Sequence, residues 1–469
     1  MAREPMPDVI VILPGILGSV LEKDGKEVWN LSPGAMLRGI VSLGRSVQSL
    51  TMSGDDPEQD DLGDGVTAKG LLQGLHLIPG LWKIDGYKTI RSTVEERFDV
   101  TPGKNLFEFP YDWRRDNRVA ARKLARSTDT WLREWREHSG NADAKLILLA
   151  HSMGGLVSRH FLEVLGGWEN TRLLVTFGTP YRGSLNSLSF LANGVNKGFW
   201  KFRVDLTDML RSFTSVYQLL PTYRSYDPGD GQLKRVGELE DVPGVDASRA
   251  RSALAFHEEI KSTQEANARL NRYREKGYVI NPVVGIDQST FLSSRAGDNR
   301  VSVSTTYEGE AHGGDGTVPR VSALPPEWSA PLGGMFASEA HASLQNNRAV
   351  LAHVRGLITT GQIDLQRFMT TTPDQGRIGL EVPAVVEEGE TLEVKAKPVV
   401  ESSPVEVTLA DVDDESNVRV VILEPDSEEW RAGKFDLAPG IYSVRARVPG
   451  APGSVTDFAA VLPRETDVE

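Results

Sequence analysis

Ser152 sits where a serine hydroxyl can become a nucleophile. It lies in the stretch 145–155, which reads KLILLAHSMGG. Leu146 to Leu149 form a short apolar run of the kind that makes a strand buried on both faces. After Gly155 the pattern changes to LVSRHFLEVL, with Leu156, Phe161, Leu162 and Leu165 at helical spacing. Strand, tight turn and helix are the setting of a nucleophile elbow, in which a strained backbone projects the serine above the sheet edge. Residues two before and two after the serine must be small to pass each other across the turn, and here they are Ala150 and Gly154. The helix N-terminus that follows aims free N–H groups and a partial positive charge at any oxyanion formed near Ser152. The N–H of Met153, next after the nucleophile, is one donor for that oxyanion. The chemistry this allows is acyl transfer through a covalent ester on Ser152. Alone the five residues are a weak signal, since Ala150 departs from G-x-S-x-G and an inert strand–turn–helix carries the same letters.

The rest of the chain must hold such a site together. Val9 to Leu13, VIVIL, reads as a buried strand ending in Pro14-Gly15-Ile16-Leu17-Gly18-Ser19. A glycine-rich loop of this kind supplies the second oxyanion N–H in α/β-hydrolases; the alternative is a simple strand end. Asp55–Asp64 reads as an acidic loop, and Leu71 to Trp82 is more apolar than an exposed loop requires. That apolar stretch either packs on the core or faces a lipid surface. The pattern predicts a helix over Tyr87–Phe98, a strand over Asn105–Phe109 and a helix over Arg115–His138 with Ala120, Leu124, Trp131 and Trp135 on one face. Strands follow at Arg172–Phe177, Tyr278–Ile286 and Val301–Thr305. Alternation of buried strands with helices predicts an α/β core.

The strand at 105–109 runs into Phe109-Pro110-Tyr111-Asp112-Trp113-Arg114. Together with the loop at Pro14–Ser19 and the elbow at Ser152, this run resembles the lecithin:cholesterol acyltransferase and lysosomal phospholipase A2 family of α/β-hydrolases. GTPYRGS at 178–184, SVYQLLP at 215–221 and GDGTVP at 314–319 also resemble that family. The likeness runs through separated motifs over roughly the first 360 residues. Asp112 and Arg114 can form a charge-assisted pair with Trp113 packed beneath, a scaffold for the pocket rather than reacting groups. The resemblance implies that Asp315 orients the catalytic histidine and that Ile16 gives the second oxyanion donor, with Leu17 next in line. His341, in EAHASL at 339–344, is expected at the start of a helix running through Val354. The order Ser152, Asp315, His341 is the nucleophile–acid–base order of α/β-hydrolases. His341 would take the serine proton, and Asp315 would hold its tautomer. The chain has eight histidines. His312 is too near Asp315 on its own loop to meet both partners, His353 falls deep in a helix, and His151 and His160 are expected to pack around the elbow.

From about 185 to 277 the strand–helix alternation is interrupted. Phe190, Phe199, Trp200 and Phe202 are densely aromatic, Thr207–Leu220 reads as an amphipathic helix stopped by Pro221, and Arg249–Arg274 as a long charged helix. This is where hydrolases carry a cap, and an aromatic cap could hold an acyl chain; an ungated helical layer is the alternative. The expected organisation is thus an α/β-hydrolase domain over 1–365 with that cap inserted, and a second domain over 371–469. The second stretch alternates like about seven short strands and suggests an immunoglobulin-like β-sandwich.

A length of 469 residues fits two domains. The net charge is −13, and 371–469 holds 21 Asp+Glu against 9 Lys+Arg, so the acidity belongs to the tail. That distribution argues against nucleic-acid binding and gives no attraction to anionic membranes. The chain has no cysteine, which excludes disulfides, thiolate metal sites and a cysteine nucleophile. No run of about 18 apolar residues occurs, and the N-terminus enters a strand without a signal-like stretch. Those two features and the missing cysteines favour a cytoplasmic protein, peripheral at a membrane when working. The function expected is hydrolysis or transfer of a lipid acyl group, with glycerophospholipid as the donor implied by resemblance and no metal or cofactor required. The rival readings are a hydrolase scaffold that binds without turnover, and a phospholipase effector silent until its tail meets a protein partner.

Overall fold

The computed structural model describes residues 3–30, 48–74, 76–78, 82–199, 202–328, 334–359, 370–371, 377–400, 403–412, 414, 418–427, 429–451 and 453–463. Its centre is a sheet of seven strands: β1 (Val9–Leu13), β2 (Leu106–Glu108), β3 (Leu146–His151), β4 (Thr171–Phe177), β5 (Val279–Ile286), β6 (Met335–Ser338) and β7 (Thr370–Thr371). Across the sheet the order is β7-β6-β5-β4-β3-β1-β2, with every neighbour parallel. β1 and β3 are buried at every residue, which is why they read as continuous apolar runs without alternation.

The chain leaves β1 toward β2 on one side and later places β3 on the other. The sheet therefore has a topological switch point between β1 and β3, and the crevice beyond their carboxyl ends is where such sheets bind ligands. β1 ends at Leu13 and β3 at His151, so the loops beginning at Pro14 and Ser152 both open into that crevice.

Six helices matter for the site: α1 (Lys88–Arg97), α2 (Asn117–Ser139), α3 (Met153–Glu163), α4 (Leu185–Asn193), α5 (Ala247–Asn267) and α6 (Arg348–Thr359). α2 begins at Asp116, whose carboxylate accepts from the Arg118 N–H, and stops at Gly140 in the left-handed region. Its apolar stripe buries Ala120, Leu124 and Leu132, while Trp131 stacks on Phe107 at 4.1 Å between ring centres. α3 packs against β3 and β4 and beside α2, buried along its whole length.

Several elements differ from the sequence reading. Thr207–Leu220 is not one helix but two, Thr207–Ser212 and Thr214–Gln218. The break is at Phe213, which turns extended to bury its ring against Trp113, while Arg249 donates to the freed carbonyls of Arg211 and Ser212. The helix expected over Arg249–Arg274 ends at Asn267, because Asn267 and Tyr273 both reach the Glu163 carboxylate of α3 and Leu270 turns extended between them. Leu71 and Leu72 are buried, so the start of the apolar stretch packs on the core. The side chains from 75 to 82 lie outside the described residues, as do Trp200 and the side chains of Phe199 and Phe202. Phe190 packs, partly buried, on the core.

Beyond residue 376 every described regular element is a strand. One sheet joins Ile378–Glu381, Leu392–Pro398, Arg431–Phe435 and Glu424–Pro425. The other joins Val385–Glu387, Val455–Leu462, Gly440–Arg447, Glu406–Asp411 and Val418–Ile422. They share a core that includes Leu392, Val394, Val407, Val444 and Val455. Nine strands are described where about seven are expected. The two shortest, Val385–Glu387 and Glu424–Pro425, are too short to show an alternating pattern. Among the described residues, no helix is long and apolar enough to cross a membrane.

Candidate active site

Ser152 is the first residue past β3 and the last before α3. Its φ of 51° is positive, a conformation costly for a residue with a side chain. The turn is held from both sides: the Ser152 N–H donates to Phe177 O at 2.8 Å, and Thr179 Oγ1 donates to Ser152 O at 2.9 Å. The requirement for small residues is visible in the packing. A Cβ on Gly15 would lie 2.8 Å from that of Ser152, and one on Gly154 would lie 2.5 Å from Pro14 O. The β1 loop thus rests directly on the elbow.

The structure brings the three sequence-selected side chains together. His341 Nε2 lies 2.9 Å from Ser152 Oγ, and His341 Nδ1 lies 2.7 Å from Asp315 Oδ2. The other Asp315 oxygen accepts from the N–H groups of Thr317 and Val318 at 3.0 and 2.7 Å, so the GDGTVP turn fixes the carboxylate. A carboxylate cannot donate, so Nδ1 carries the proton and Nε2 is free to accept from the serine. A backbone bond of 2.8 Å from His341 N–H to Asp315 O ties the two loops together.

His341 does not start a helix. It lies on the loop after β6, and α6 begins only at Arg348, where Asn347 Oδ1 accepts from Ala349 and Val350 N–H. Three of the other histidines named from sequence lie elsewhere. His312 is exposed beside Glu310, His353 meets Asn281, and His160 stacks on Phe256 of α5.

Met153 opens α3, where the first N–H groups have no partner within the helix. In the facing loop the Gly15 N–H donates to Tyr87 Oη at 2.8 Å, Gly18 N–H to Gly15 O, and Trp29 Nε1 to Leu17 O. The Ile16 N–H has no partner among the described residues. Leu17 adopts a φ of 65°, which gives the loop its sharp bend.

Sequence reasoning missed one element of this site. Tyr87 Oη lies 2.9 Å from His151 Nδ1, and His151 Nε2 lies 3.0 Å from the backbone carbonyl of His341. That carbonyl only accepts, so His151 carries its proton on Nε2 and Nδ1 accepts from the tyrosine hydroxyl. Burial, reinforced by His341, pushes the His151 pKa down to about 3, so the ring stays neutral. One buried chain of hydrogen bonds therefore links the β1 loop, the elbow and the histidine loop. No sequence motif marks it, because Tyr87 and His151 are ordinary packing residues until the fold brings them together.

The PYDWR run is a brace. Asp112 and Arg114 pair in two-pronged fashion at 2.9 and 2.7 Å, with Arg114 fully buried, its Nη2 also reaching Asp64 and its Nη1 donating to Leu50 O. Tyr111 Oη donates to Pro14 O and Trp113 Nε1 to Ser19 O, so the run holds the β1 loop from below. The acidic stretch Asp55–Asp64 is part of that brace, since Asp55 pairs with the buried Arg115 at 3.0 Å.

Comparison with known proteins gives the family of the chain. A protein of Arabidopsis thaliana described as lecithin-cholesterol acyltransferase-like 4 is 26% identical over 156 residues, 30% of this chain and 28% of that protein. The matched part is thus under a third of that relative's length. Among solved structures, Bacillus licheniformis lipase BlEst2 in its propeptide form is 14% identical, covering 97% of this chain and 75% of its own, with a TM-score of 0.33. Phospholipase PlaB of Legionella pneumophila is 9% identical, covering 98% of this chain and 96% of its own, also with a TM-score of 0.33. The model of the family described as lecithin:cholesterol acyltransferase matches residues 73–310, which carry the PYDWR brace, Ser152 and the GTPYRGS loop. With just over half its length matched, this chain belongs to the lecithin:cholesterol acyltransferase family.

Proposed function

We propose that the protein is a serine-dependent lipid acyl hydrolase or acyltransferase with Ser152, Asp315 and His341 as its triad. The observation that carries this reading is the His341 ring spanning Ser152 Oγ and Asp315 Oδ2 at 2.9 and 2.7 Å. Ser152 Oγ attacks the ester carbonyl as its proton passes to His341 Nε2. The negative charge on the carbonyl oxygen is met by the N–H groups of Met153 and Ile16. The C–O bond to the alcohol then breaks, and His341 Nε2 gives that alcohol its proton. Water or a second alcohol repeats the sequence on the acyl-enzyme, giving free acid or a new ester. Asp315 stays ionised throughout and steadies the imidazolium.

The substrate class we favour is glycerophospholipid, in keeping with the family. We also read the chain as an α/β-hydrolase domain over 1–365 with a cap at about 185–277, followed by an immunoglobulin-like sandwich over 371–469. Incubation with mixed phospholipid vesicles, with and without a long-chain alcohol, tests the activity against Ser152→Ala. Ser152-dependent fatty acid and lysophospholipid mean hydrolysis, and a new ester means acyl transfer. Failure of the protein to label with a fluorophosphonate while Ser152 is intact would overturn the nucleophile assignment and favour a silent scaffold.

A further inference from the structure

The strands beyond residue 376 do not hang free of the site. Ile378 pairs its backbone with the Ser338 hydroxyl, its O accepting at 3.0 Å and its N–H donating at 3.2 Å. Gln288 donates to Ile378 O and accepts from Leu380 N–H, both at 3.2 Å. Gln288 in turn donates its own N–H to Gly314 O at 3.0 Å, next to Asp315. Ser338 ends β6, three residues before His341. One strand of the C-terminal region is thus bonded to the stems of both the acid loop and the histidine loop.

A second tie comes from the other C-terminal sheet. The Thr456 N–H donates to Glu339 Oε1 at 2.9 Å, and Lys83 pairs with Asp457 at 2.6 Å. Glu339 is 2% exposed and also accepts from Ala340 N–H and Asn347 Nδ2, so it fixes the loop two residues before His341.

The same contact encloses space. A cleft of about 580 Å³ is lined on one side by Asp315, Thr317 and His341 and on the other by Val382, Pro383, Glu393, Lys395 and Asp457. The C-terminal wall carries both signs of charge. In the mechanism His341 Nε2 protonates the leaving alcohol, so the alcohol part of the ester lies on the His341 side, where this wall stands.

We propose that the C-terminal β-region is a working part of the active site: it positions the acid and histidine loops through Gln288, Ser338 and Glu339, and it forms the polar wall against which the alcohol portion of the ester binds. This rests on the triad reading above. Gln288, Ser338 and Glu339 are positioning residues, acting through Asp315 and His341 rather than on substrate.

The test uses the full chain and two esters of one fatty acid, one with a neutral alcohol and one with a quaternary-ammonium alcohol. Thr456→Pro deletes the N–H that Glu339 accepts, at a position where Val455–Leu462 pairs with Gly440–Arg447 on one side and with no strand on the other, so no ladder bond is lost. It should lower kcat for both esters by about ten- to hundredfold with KM nearly unchanged, and slow fluorophosphonate labelling in step. Lys395→Glu should raise kcat/KM for the cationic ester over the neutral one by about tenfold. Thermal unfolding shows that each variant is folded. If Thr456→Pro and Lys395→Glu both match the parent in kcat, labelling rate and ester preference, the proposal is overturned. If instead the parent neither labels nor turns over either ester beyond Ser152→Ala, the triad reading itself fails and this inference goes with it.

Discussion

Replacing Tyr87 by phenylalanine removes one oxygen atom and two hydrogen bonds from the heart of the site. The ring remains, so no cavity opens. What is lost is the acceptor for the Gly15 N–H at 2.8 Å and the donor to His151 Nδ1 at 2.9 Å. Both orphaned groups are buried, and leaving such a group unmade costs about 1–3 kcal/mol each. A destabilisation of about 4 kcal/mol is expected, the middle of that combined range. The effect on catalysis works through position. Gly15 immediately precedes Ile16, whose N–H is the proposed second oxyanion donor, and loss of a whole donor costs roughly 10²–10³ in kcat. Loosening the loop without deleting the donor should cost about one order of magnitude less, so kcat falls about ten- to hundredfold while KM changes little. The assay pairs a thermal melt with steady-state hydrolysis of a soluble ester. A variant with a lowered melting point and parental kcat would show that the Tyr87–His151 chain only supports the fold, and would refute its role in positioning the oxyanion loop.

Three further outcomes follow from the geometry. Gly178→Ala places a Cβ 2.7 Å from Asp315 Oδ2 and 2.9 Å from His341 Nδ1 at a φ of 57°, so it should displace the acid–base bond and cut kcat by about 10² or more; parental kcat would contradict the placement. Ser152→Gly relieves a positive φ and should raise the melting point by about 1 kcal/mol of stability as activity vanishes, whereas Ser152→Ala should leave the melting point near the parent's; equal melting points for the two would deny the strain. Burial raises Glu339 from 4.5 to about 7, and Asp85 nearby is raised to about 6 with Arg445 and Asn346 opposing. The folded chain therefore holds protons that the unfolded chain releases, so this contribution is full below about pH 4.5 and fades as pH rises through about 7. Glu339→Gln should gain on the parent in melting point between pH 5 and 8, and a difference that does not vary with pH would count against it.

How much of this was legible depended on distance along the chain. The elbow was readable because strand, small residues and helix are contiguous, and β1 and β3 were readable because full burial leaves an unbroken apolar run. His341 was legible as a residue but not as a location. The EAHASL run looked like a helix start, while the true start signal, Asn347 before α6, lay six residues further on. The helix boundaries that failed, at Phe213 and Asn267, are places where a tertiary partner outbids the local pattern: Trp113 in one case and Glu163 in the other. The acidic run Asp55–Asp64 could be seen but not interpreted, because its arginine partners stand 50 and 60 residues away.

The same rule explains which parts of the site stayed hidden. The groups expected to react are carried by short motifs, but the groups that hold them are paired across long separations: 64 residues for Tyr87 and His151, 190 for His151 and His341, and 117 for Glu339 and Thr456. These bridges share a chemistry. Each joins a buried polar side chain to a distant backbone group or ring nitrogen and has a loop at one end, which apolar packing alone would leave free to shift. Loops at the carboxyl ends of β1, β3 and β6 come from distant parts of the sheet and cannot share one hydrophobic contact. Directional hydrogen bonds in a dry setting can set their spacing to tenths of an ångström, and a lost partner is correspondingly expensive there. The C-terminal region enters the site by the same device, through Ile378 and Thr456, and that is why its strands, empty of any catalytic motif, bear on the geometry of His341.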